Sequence, residues 1–224
     1  MSTCCKAVIF DLDGTLLDTI GDLAESMNYA LKSLGFDERE LSHHSWAIGN
    51  GLRKYAERCL PQDAVTDTIL DEVCAVFSQH YNTHSSIKTV PYDGICQLLE
   101  FLNKNNILVN ILSNKRDGFV KELTQHYFGN FNFVCVNGEL PNVAKKPNPE
   151  AALLIAEKCN IAPAGILFIG DSVYDIQTGK NAGMKTIAVT WGYQPEDSLV
   201  AENPDFIAHT PTDIINYITA QLGE

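Results

Sequence analysis

Two acidic residues separated by one position follow a short apolar run near the start of the chain. Residues 6–10 (KAVIF) lead directly into the segment DLDGT at 11–15. Side chains two positions apart on an extended segment point the same way, and Gly14 permits a sharp turn after them. The Asp11 carboxylate could then attack a phosphorus atom while Asp13 transfers a proton. An ordinary Asp-Gly turn is the alternative interpretation of this segment.

Two further segments could hold and neutralise a phosphate group. Ser113 and Asn114 follow a predicted strand, so the hydroxyl and the backbone N–H groups could bind phosphate oxygens. Lys146 lies in KKPNP at 145–149, where two prolines restrict the backbone and a lysine pair occurs in an otherwise acidic chain. Taken singly, Ser113 or Asn114 is at least as typical of a strand-to-helix cap, and the lysine pair is equally typical of a solvated basic turn before a helix.

A fourth segment, GDSVYD at 170–175, directly follows an apolar run. Its position places Asp171 where a metal could bind, and Asp175 lies one helical turn farther on, where it could orient Asp171, Lys146 or a metal-bound water. A capping acid in a first helical turn is the alternative for Asp175. Together the four segments supply a nucleophile, an acid/base, phosphate donors, a cation and an oxygen site suited to Mg²⁺.

The elements that must position these residues are predicted to be parallel strands. Short apolar, β-branched runs alternate with helical patterns along the chain, and this alternation predicts an α/β fold with a parallel sheet covered on both faces. Such sheets bind ligands at the carboxyl ends of their strands, where the four segments lie. The predicted strands are 6–10, 107–112, 133–136, 165–169 and 186–190.

Residues 19–86 interrupt the alternation, because their apolar residues recur only at helical spacing. The first helix is predicted to end near Gly35, and later helices to cover about 45–59 and 67–80. We therefore predict an all-helical insertion at 19–86 and a core domain formed by 1–18 and 87–224. The links at 18–21 and 86–91 are expected to act as hinges.

Charge and composition exclude several classes of partner. A formal charge of −12 and a pI near 4.8 argue against nucleic acid, which is held mainly by clustered Lys and Arg. Apolar runs are far shorter than the roughly 20 residues that span a bilayer, and no signal peptide is visible. The seven cysteines form no C-x-x-C pair, which favours reduced thiols. We predict a cytoplasmic monomer or homodimer that acts on a small molecule.

The order D-x-D-G-T, S-N, K-P-x-P and G-D-S-x-x-D resembles the haloacid dehalogenase superfamily of phosphotransferases over almost the whole chain. The resemblance implies a Rossmann-like sheet with a helical cap domain inserted after the first strand. It implies that Asp11 is the nucleophile, that Asp13 is the general acid/base, and that Mg²⁺ is bound by Asp11, Asp171 and the backbone carbonyl of Asp13. The residues expected to contact phosphate are Thr15, Ser113, Asn114 and Lys146.

A segment of the insertion bears on the substrate. WAIGNGLR at 46–53 is similar to the W-x-G-N-G segment of the phosphoglycolate phosphatase family within that superfamily. Its glycines let the backbone approach a small ligand, Asn50 is a candidate substrate contact, and Arg53 or Lys54 could attract a carboxylate. A glycine-rich turn with a solvated Arg53 is the alternative.

These features predict hydrolysis of 2-phosphoglycolate through an aspartyl-phosphate. A β-phosphoglucomutase-like phosphotransferase and a pyrophosphatase of the same superfamily are alternatives that the motifs do not separate. A non-catalytic binding protein that keeps the fold is an alternative from a different class, and the four intact motifs disfavour it.

Overall fold

The computed structural model describes residues 5–222, so Cys4 and its predicted thiol lie outside the described residues. Within that range the chain forms a six-stranded sheet in which every pairing is parallel, in the order β5-β4-β1-β6-β7-β8. The predicted α/β fold is thereby confirmed. The strands are β1 (Ala7–Phe10), β4 (Leu108–Arg116), β5 (Cys135–Glu139), β6 (Ile166–Gly170), β7 (Lys185–Val189) and β8 (Phe206–Ala208).

Helices cover the sheet and fill the interval between two short strands, β2 (Leu17–Asp18) and β3 (Val90–Pro91), which pair antiparallel. That interval holds α1 (Ile20–Ser33), α2 (Leu41–Ala47), α3 (Leu52–Cys59) and α4 (Asp67–His84). The remaining helices are α5 (Ile95–Lys104), α6 (Asp117–Phe128), α7 (Glu150–Cys159), α8 (Val173–Asn181), α9 (Glu196–Ala201) and α10 (Pro211–Leu222). No helix among residues 5–222 combines the length and the apolar character that crossing a membrane requires.

The central strand β1 shows why the sheet is covered on both faces. Val8 and Phe10 pack into one hydrophobic cluster, and Ala7 and Ile9 pack into another. Because alternate side chains of a strand point to opposite faces, a strand without a polar residue must be buried on both sides. Full burial of a side chain as large as Phe10 or Ile9 contributes about 2 kcal/mol, which fixes β1 at the centre of the fold.

The helices α1–α4 pack around a hydrophobic cluster of their own, which includes Met27, Leu31 and Phe77. Phe119 of α6 also joins this cluster, so the helices contact the rest of the chain near the end of β4. At the two links, β2 and β3 lie side by side, and the buried carboxylate of Asp22 accepts hydrogen bonds from the backbone N–H groups of residues 87–89.

Several predicted element boundaries were wrong. β4 does not end at residue 112 but continues to Arg116, so the S-N segment lies in the strand and not after it. The single helix predicted over 45–59 is two helices, because Gly49 and Gly51 adopt φ of +110° and +79° and turn the chain between them. The two-stranded ribbon of β2 and β3, and the edge strand β8, were not predicted, since all three are very short.

Candidate active site

Three buried polar side chains meet at one edge of the sheet. Asp11 follows β1, Asp171 follows β6, and Ser113 lies in the last part of β4. β1 pairs in parallel with β4 on one side and with β6 on the other, so the carboxyl ends of the three strands are adjacent. All three residues line one cavity between the sheet edge and the helices α1–α4. This is the ligand-binding position of open parallel sheets.

Lys146 is the cation that faces Asp11. Its Nζ atom lies 3.0 Å from Oδ1 of Asp11 and 2.6 Å from Oδ1 of Asp175, and the lysine side chain is almost completely buried. Burial by itself would lower the pKa of Lys146, but the charges of Asp11 and Asp175 outweigh that effect and raise the pKa. Lys146 therefore stays charged beside Asp11.

Asp175 both caps the start of α8 and orients Lys146, two roles that the sequence analysis gave as alternatives. Its Oδ2 atom accepts hydrogen bonds from the backbone N–H of Ser172 at 3.1 Å and from the Ser172 hydroxyl at 2.5 Å, which forms a capping box at the start of α8. Its Oδ1 atom accepts from Nζ of Lys146. Because one carboxylate serves the helix and the lysine, the start of α8 fixes the position of Lys146.

Asp11 and Asp171 lie close together, and their negative charge is only partly compensated. Burial raises the pKa of Asp11 to about 6, although Lys146 opposes the rise, and burial followed by the charge of Asp11 raises the pKa of Asp171 to about 8. Oδ1 of Asp11 is at ion-pair distance from Lys146 but makes no hydrogen bond to any described residue. A divalent cation would supply the missing positive charge.

The donor set fits a hard divalent cation. Oxygen atoms of Asp11, Asp171 and Asp175 lie within 4.8 Å of one another, and all three residues are buried. Asp175 already gives one oxygen to Lys146 and the other to Ser172, so Asp11 and Asp171 are the better placed carboxylates for the ion. Oxygen ligands are those that Mg²⁺ prefers.

The Asp171 carboxylate is held tightly in one orientation. Its Oδ1 accepts from the Thr15 hydroxyl at 3.0 Å, and its Oδ2 accepts from the backbone N–H of Tyr193 at 2.8 Å. A Cβ atom on Gly14 would lie 2.3 Å from this carboxylate, and one on Gly192 would lie 2.2 Å from Cβ of Asp171. Both glycines are therefore needed for the chain to approach Asp171. The Thr15 hydroxyl, predicted to contact phosphate, is directed to Asp171.

The two predicted phosphate ligands of β4 are placed differently. Asn114 donates to the backbone carbonyls of Gly49 and Lys146, at 3.1 and 3.2 Å, and its Oδ1 accepts from the backbone N–H of Lys146 at 3.0 Å. The Asn114 side chain therefore positions Lys146 and contacts the turn between α2 and α3. The Ser113 hydroxyl accepts from the backbone N–H of Lys115 at 3.3 Å and lines the cavity.

Sequence reasoning assigned no function to Lys115, which contacts Asp13 directly. Nζ of Lys115 lies 2.9 Å from Oδ1 of Asp13, and both side chains are largely buried. The Thr19 hydroxyl donates to the same Asp13 oxygen at 2.7 Å and lies 3.1 Å from the Tyr193 hydroxyl. The signal available in the sequence was a lysine directly after the S-N pair, at the end of a strand in an acidic chain. The metal contact predicted for Asp13 concerns its backbone carbonyl and stays a prediction.

Neither candidate substrate residue of the insertion lines the described cavity, although the adjacent Gly49 and Gly51 do. Asn50 lies with Nδ2 3.4 Å from the Tyr174 hydroxyl. The Arg53 guanidinium forms ion pairs with Asp67 and Asp71 at the start of α4. The turn thus reaches the cavity through Ile48 and its two glycines, and not through the side chain of Asn50.

Comparison with known proteins places this arrangement in a family. The family model for haloacid dehalogenase-like hydrolases matches residues 8–189. A phosphoglycolate phosphatase of Aquifex aeolicus is 32% identical over 221 residues, which cover 98% of this chain and 99% of that protein. One of Photobacterium profundum is 33% identical over 218 residues, with 95% of each chain covered.

Comparison with solved structures also finds a similar protein over nearly the whole chain. The crystal structure of a predicted phosphoglycolate phosphatase from Haemophilus somnus has a TM-score of 0.89 to this chain at 26% identity and covers 95% of this chain and 97% of its own. The prediction of an enzyme that resembles the phosphoglycolate phosphatases is thereby confirmed. With the family model matched from β1 to β7 and relatives matched over nearly their full length, the chain belongs to the haloacid dehalogenase-like hydrolases.

Proposed function

We propose that this chain is a Mg²⁺-dependent phosphatase that hydrolyses 2-phosphoglycolate. The observation that carries the proposal is the position of Asp11, which is buried at the end of β1 and lines the cavity, with Lys146 at 3.0 Å and Asp171 beside it. A carboxylate in that position can attack a phosphoryl group that enters from the cavity. The relatives named phosphoglycolate phosphatase support this choice of substrate.

The proposed reaction has two steps. Asp11 attacks phosphorus in line and becomes an aspartyl-phosphate, while protonated Asp13 gives its proton to the leaving alkoxide oxygen. Asp13 then removes a proton from the water that attacks the aspartyl-phosphate, which releases inorganic phosphate and regenerates Asp11. Lys146 stabilises negative charge on the transferring group throughout. Mg²⁺, held by Asp11 and Asp171, would supply further charge neutralisation when bound.

We also propose that residues 19–86 act as a cap domain over a core formed by 1–18 and 87–224. Helices α1–α4 have a hydrophobic cluster of their own, and they supply one wall of the cavity. Opening at the links 18–21 and 86–91 would admit substrate, and closing would exclude water from Asp11.

Release of inorganic phosphate from 2-phosphoglycolate, with and without Mg²⁺, tests the proposed function. We expect activity that requires Mg²⁺ and that Asp11→Asn abolishes, whereas Asp37→Asn at an exposed position keeps it. Acid-quenched enzyme should carry phosphate on Asp11. Activity that survives Asp11→Asn would refute the nucleophile. Isomerisation of β-glucose 1-phosphate, or faster hydrolysis of pyrophosphate, would favour the alternatives from the same superfamily.

A further inference from the structure

The hydroxyl of Tyr81 is a buried polar group without a partner in residues 5–222. Tyr81 lies on α4, is 0% exposed and lines the same cavity as Asp11. Its hydroxyl makes no hydrogen bond of ordinary length and angle to a described residue, and the Lys115 ammonium group is its polar neighbour. A buried hydroxyl without a hydrogen bond is destabilising, and a native fold that keeps one beside a cavity calls for an explanation. A ligand that accepts a hydrogen bond in the cavity would provide it.

Lys115 brings a positive charge to the same place. Its Nζ atom lies 4.6 Å from the centroid of the Tyr81 ring, in addition to its ion pair with Asp13. The ion pair with Asp13 compensates the buried charge of Lys115. An ammonium group from β4 and a phenolic hydroxyl from α4 therefore lie together, and both can donate hydrogen bonds.

Few other cations among the described residues line the cavity. Among the described residues that line it, the cations are Lys115 and Arg116, and the Arg116 guanidinium is directed to the Ser78 hydroxyl at 2.7 Å on the exposed side. The wall formed by the helices is otherwise mainly apolar. Its apolar residues are Leu23, Ile48, Leu52 and Phe77, and Phe119 of α6 also lines the cavity.

We infer that Lys115 and Tyr81 form the subsite that binds a carboxylate on the leaving-group side of the substrate. The inference rests on the proposed function and names the residues that would select 2-phosphoglycolate among small phosphate esters. Two donors match the two oxygens of one carboxylate, and the positive charge of the lysine attracts that group. Because one donor lies on α4 and the other on β4, a bound carboxylate would link the helical insertion to the sheet.

A comparison of two substrates of equal chain length tests whether this subsite binds a carboxylate. 2-Phosphoglycolate carries the carboxylate, and ethyl phosphate ends in a methyl group in its place. With Mg²⁺ present, we expect kcat/KM of the wild type to favour 2-phosphoglycolate by at least about 30-fold, the effect of losing charge-assisted hydrogen bonds. The inert pair 3-phosphonopropionate and propylphosphonate, used as competitive inhibitors, should show the same order of affinity.

Two variants should reduce this preference. Tyr81→Phe removes only the hydroxyl, and Lys115→Met removes the charge at similar length. We expect each to lower the ratio of the two kcat/KM values by about tenfold or more. Tyr81→Phe should also unfold at the same or a higher temperature than the wild type, because it removes an unpartnered buried hydroxyl. The exposed controls Tyr29→Phe and Lys121→Met should keep the wild-type ratio.

Each contrary result has a distinct meaning. If Tyr81→Phe and Lys115→Met lower both kcat/KM values by one common factor, the residues are structural and the subsite is refuted. If Arg53→Met reduces the ratio and Lys115→Met does not, the carboxylate is bound by Arg53. If the wild type hydrolyses both esters equally well, the subsite fails while the phosphatase proposal stands. If the wild type releases phosphate from neither ester nor from p-nitrophenyl phosphate, the proposed function fails, and the subsite fails with it.

Discussion

Nζ of Lys146 lies 2.6 Å from Oδ1 of Asp175, and the side chains of both residues are 2% or less exposed. The same ammonium group is 3.0 Å from Asp11. One buried cation therefore compensates two buried carboxylates. Buried ion pairs contribute little net stability, yet removal of one partner leaves uncompensated charge in a medium of low polarity.

Lys146→Met should consequently unfold more easily than the wild type, by about 3–5 kcal/mol at pH 7, and lose at least about 1,000-fold in kcat. The double variant Lys146→Met, Asp175→Asn should recover part of the stability, because it also removes one of the stranded charges, but no activity. Urea unfolding and phosphate release measure the two effects. A double variant less stable than Lys146→Met would contradict this account.

Asp171→Asn should weaken Mg²⁺ binding without lowering the stability of the metal-free protein. In EDTA the variant is expected to be at least as stable as the wild type, because an uncharged amide replaces a buried carboxyl group whose ionisation burial and Asp11 disfavour, and because the Asn oxygen can still accept a hydrogen bond from Thr15 or Tyr193. Added Mg²⁺ should raise the melting temperature of the wild type and not that of the variant. Equal stabilisation of both proteins by Mg²⁺ would show that the ion binds elsewhere.

His44 should make stability depend on pH. The buried imidazole accepts from the Tyr55 hydroxyl at Nδ1 and lies with Nε2 3.1 Å from Oδ1 of Asn28, the arrangement of a neutral ring. Burial lowers its pKa from 6.5 to about 4. Between those values the unfolded chain binds a proton that the folded chain does not, so stability is lost as the pH falls from 6.5 to 4.

We expect His44 to contribute about 2–3 kcal/mol to this loss of stability. Urea unfolding of the wild type and of His44→Gln at several pH values measures its share. The variant should show a shallower decline between pH 6.5 and 4. The same decline in both proteins would mean that other groups cause it.

Asp22 should hold together the two links between the insertion and the core, at 18–21 and 86–91. It is 1% exposed and accepts from the N–H groups of Ile87, Lys88 and Thr89 and from the Thr89 hydroxyl at 2.7 Å. Asp22→Ala leaves those donors unsatisfied, so we expect a loss of about 3–4 kcal/mol and faster hydrogen exchange at 86–91. The exposed Asp63→Ala is the control. Unchanged exchange at those residues would show that Asp22 does not close the links.

The strands and motifs could be predicted because their signals are local. A continuous apolar run such as 6–10 must be buried on both faces, and alternation with helical patterns then requires a parallel sheet. Parallel strands bring their carboxyl ends to one edge, so Asp11, Ser113 and Asp171 could be expected together from their order alone. The two glycines of the turn after α2 are evident in the sequence. Their positive φ values, which divide the predicted single helix into two, could not be predicted from it.

Which side chains contact each other was decided by the tertiary structure. Arg53 and Lys115 are both cations beside predicted site segments, and no local pattern favoured Lys115. Arg53 lies within reach of two acids of α4, whereas the longer β4 carries Lys115 to Asp13 and beneath Tyr81. The order of the motifs and the spacing of apolar residues along the chain determined the parallel sheet and the edge of it at which the active site lies. Long-range packing of α4 against the end of β4 determined which charges and hydroxyls face the cavity, because such contacts depend on distances that no local pattern encodes.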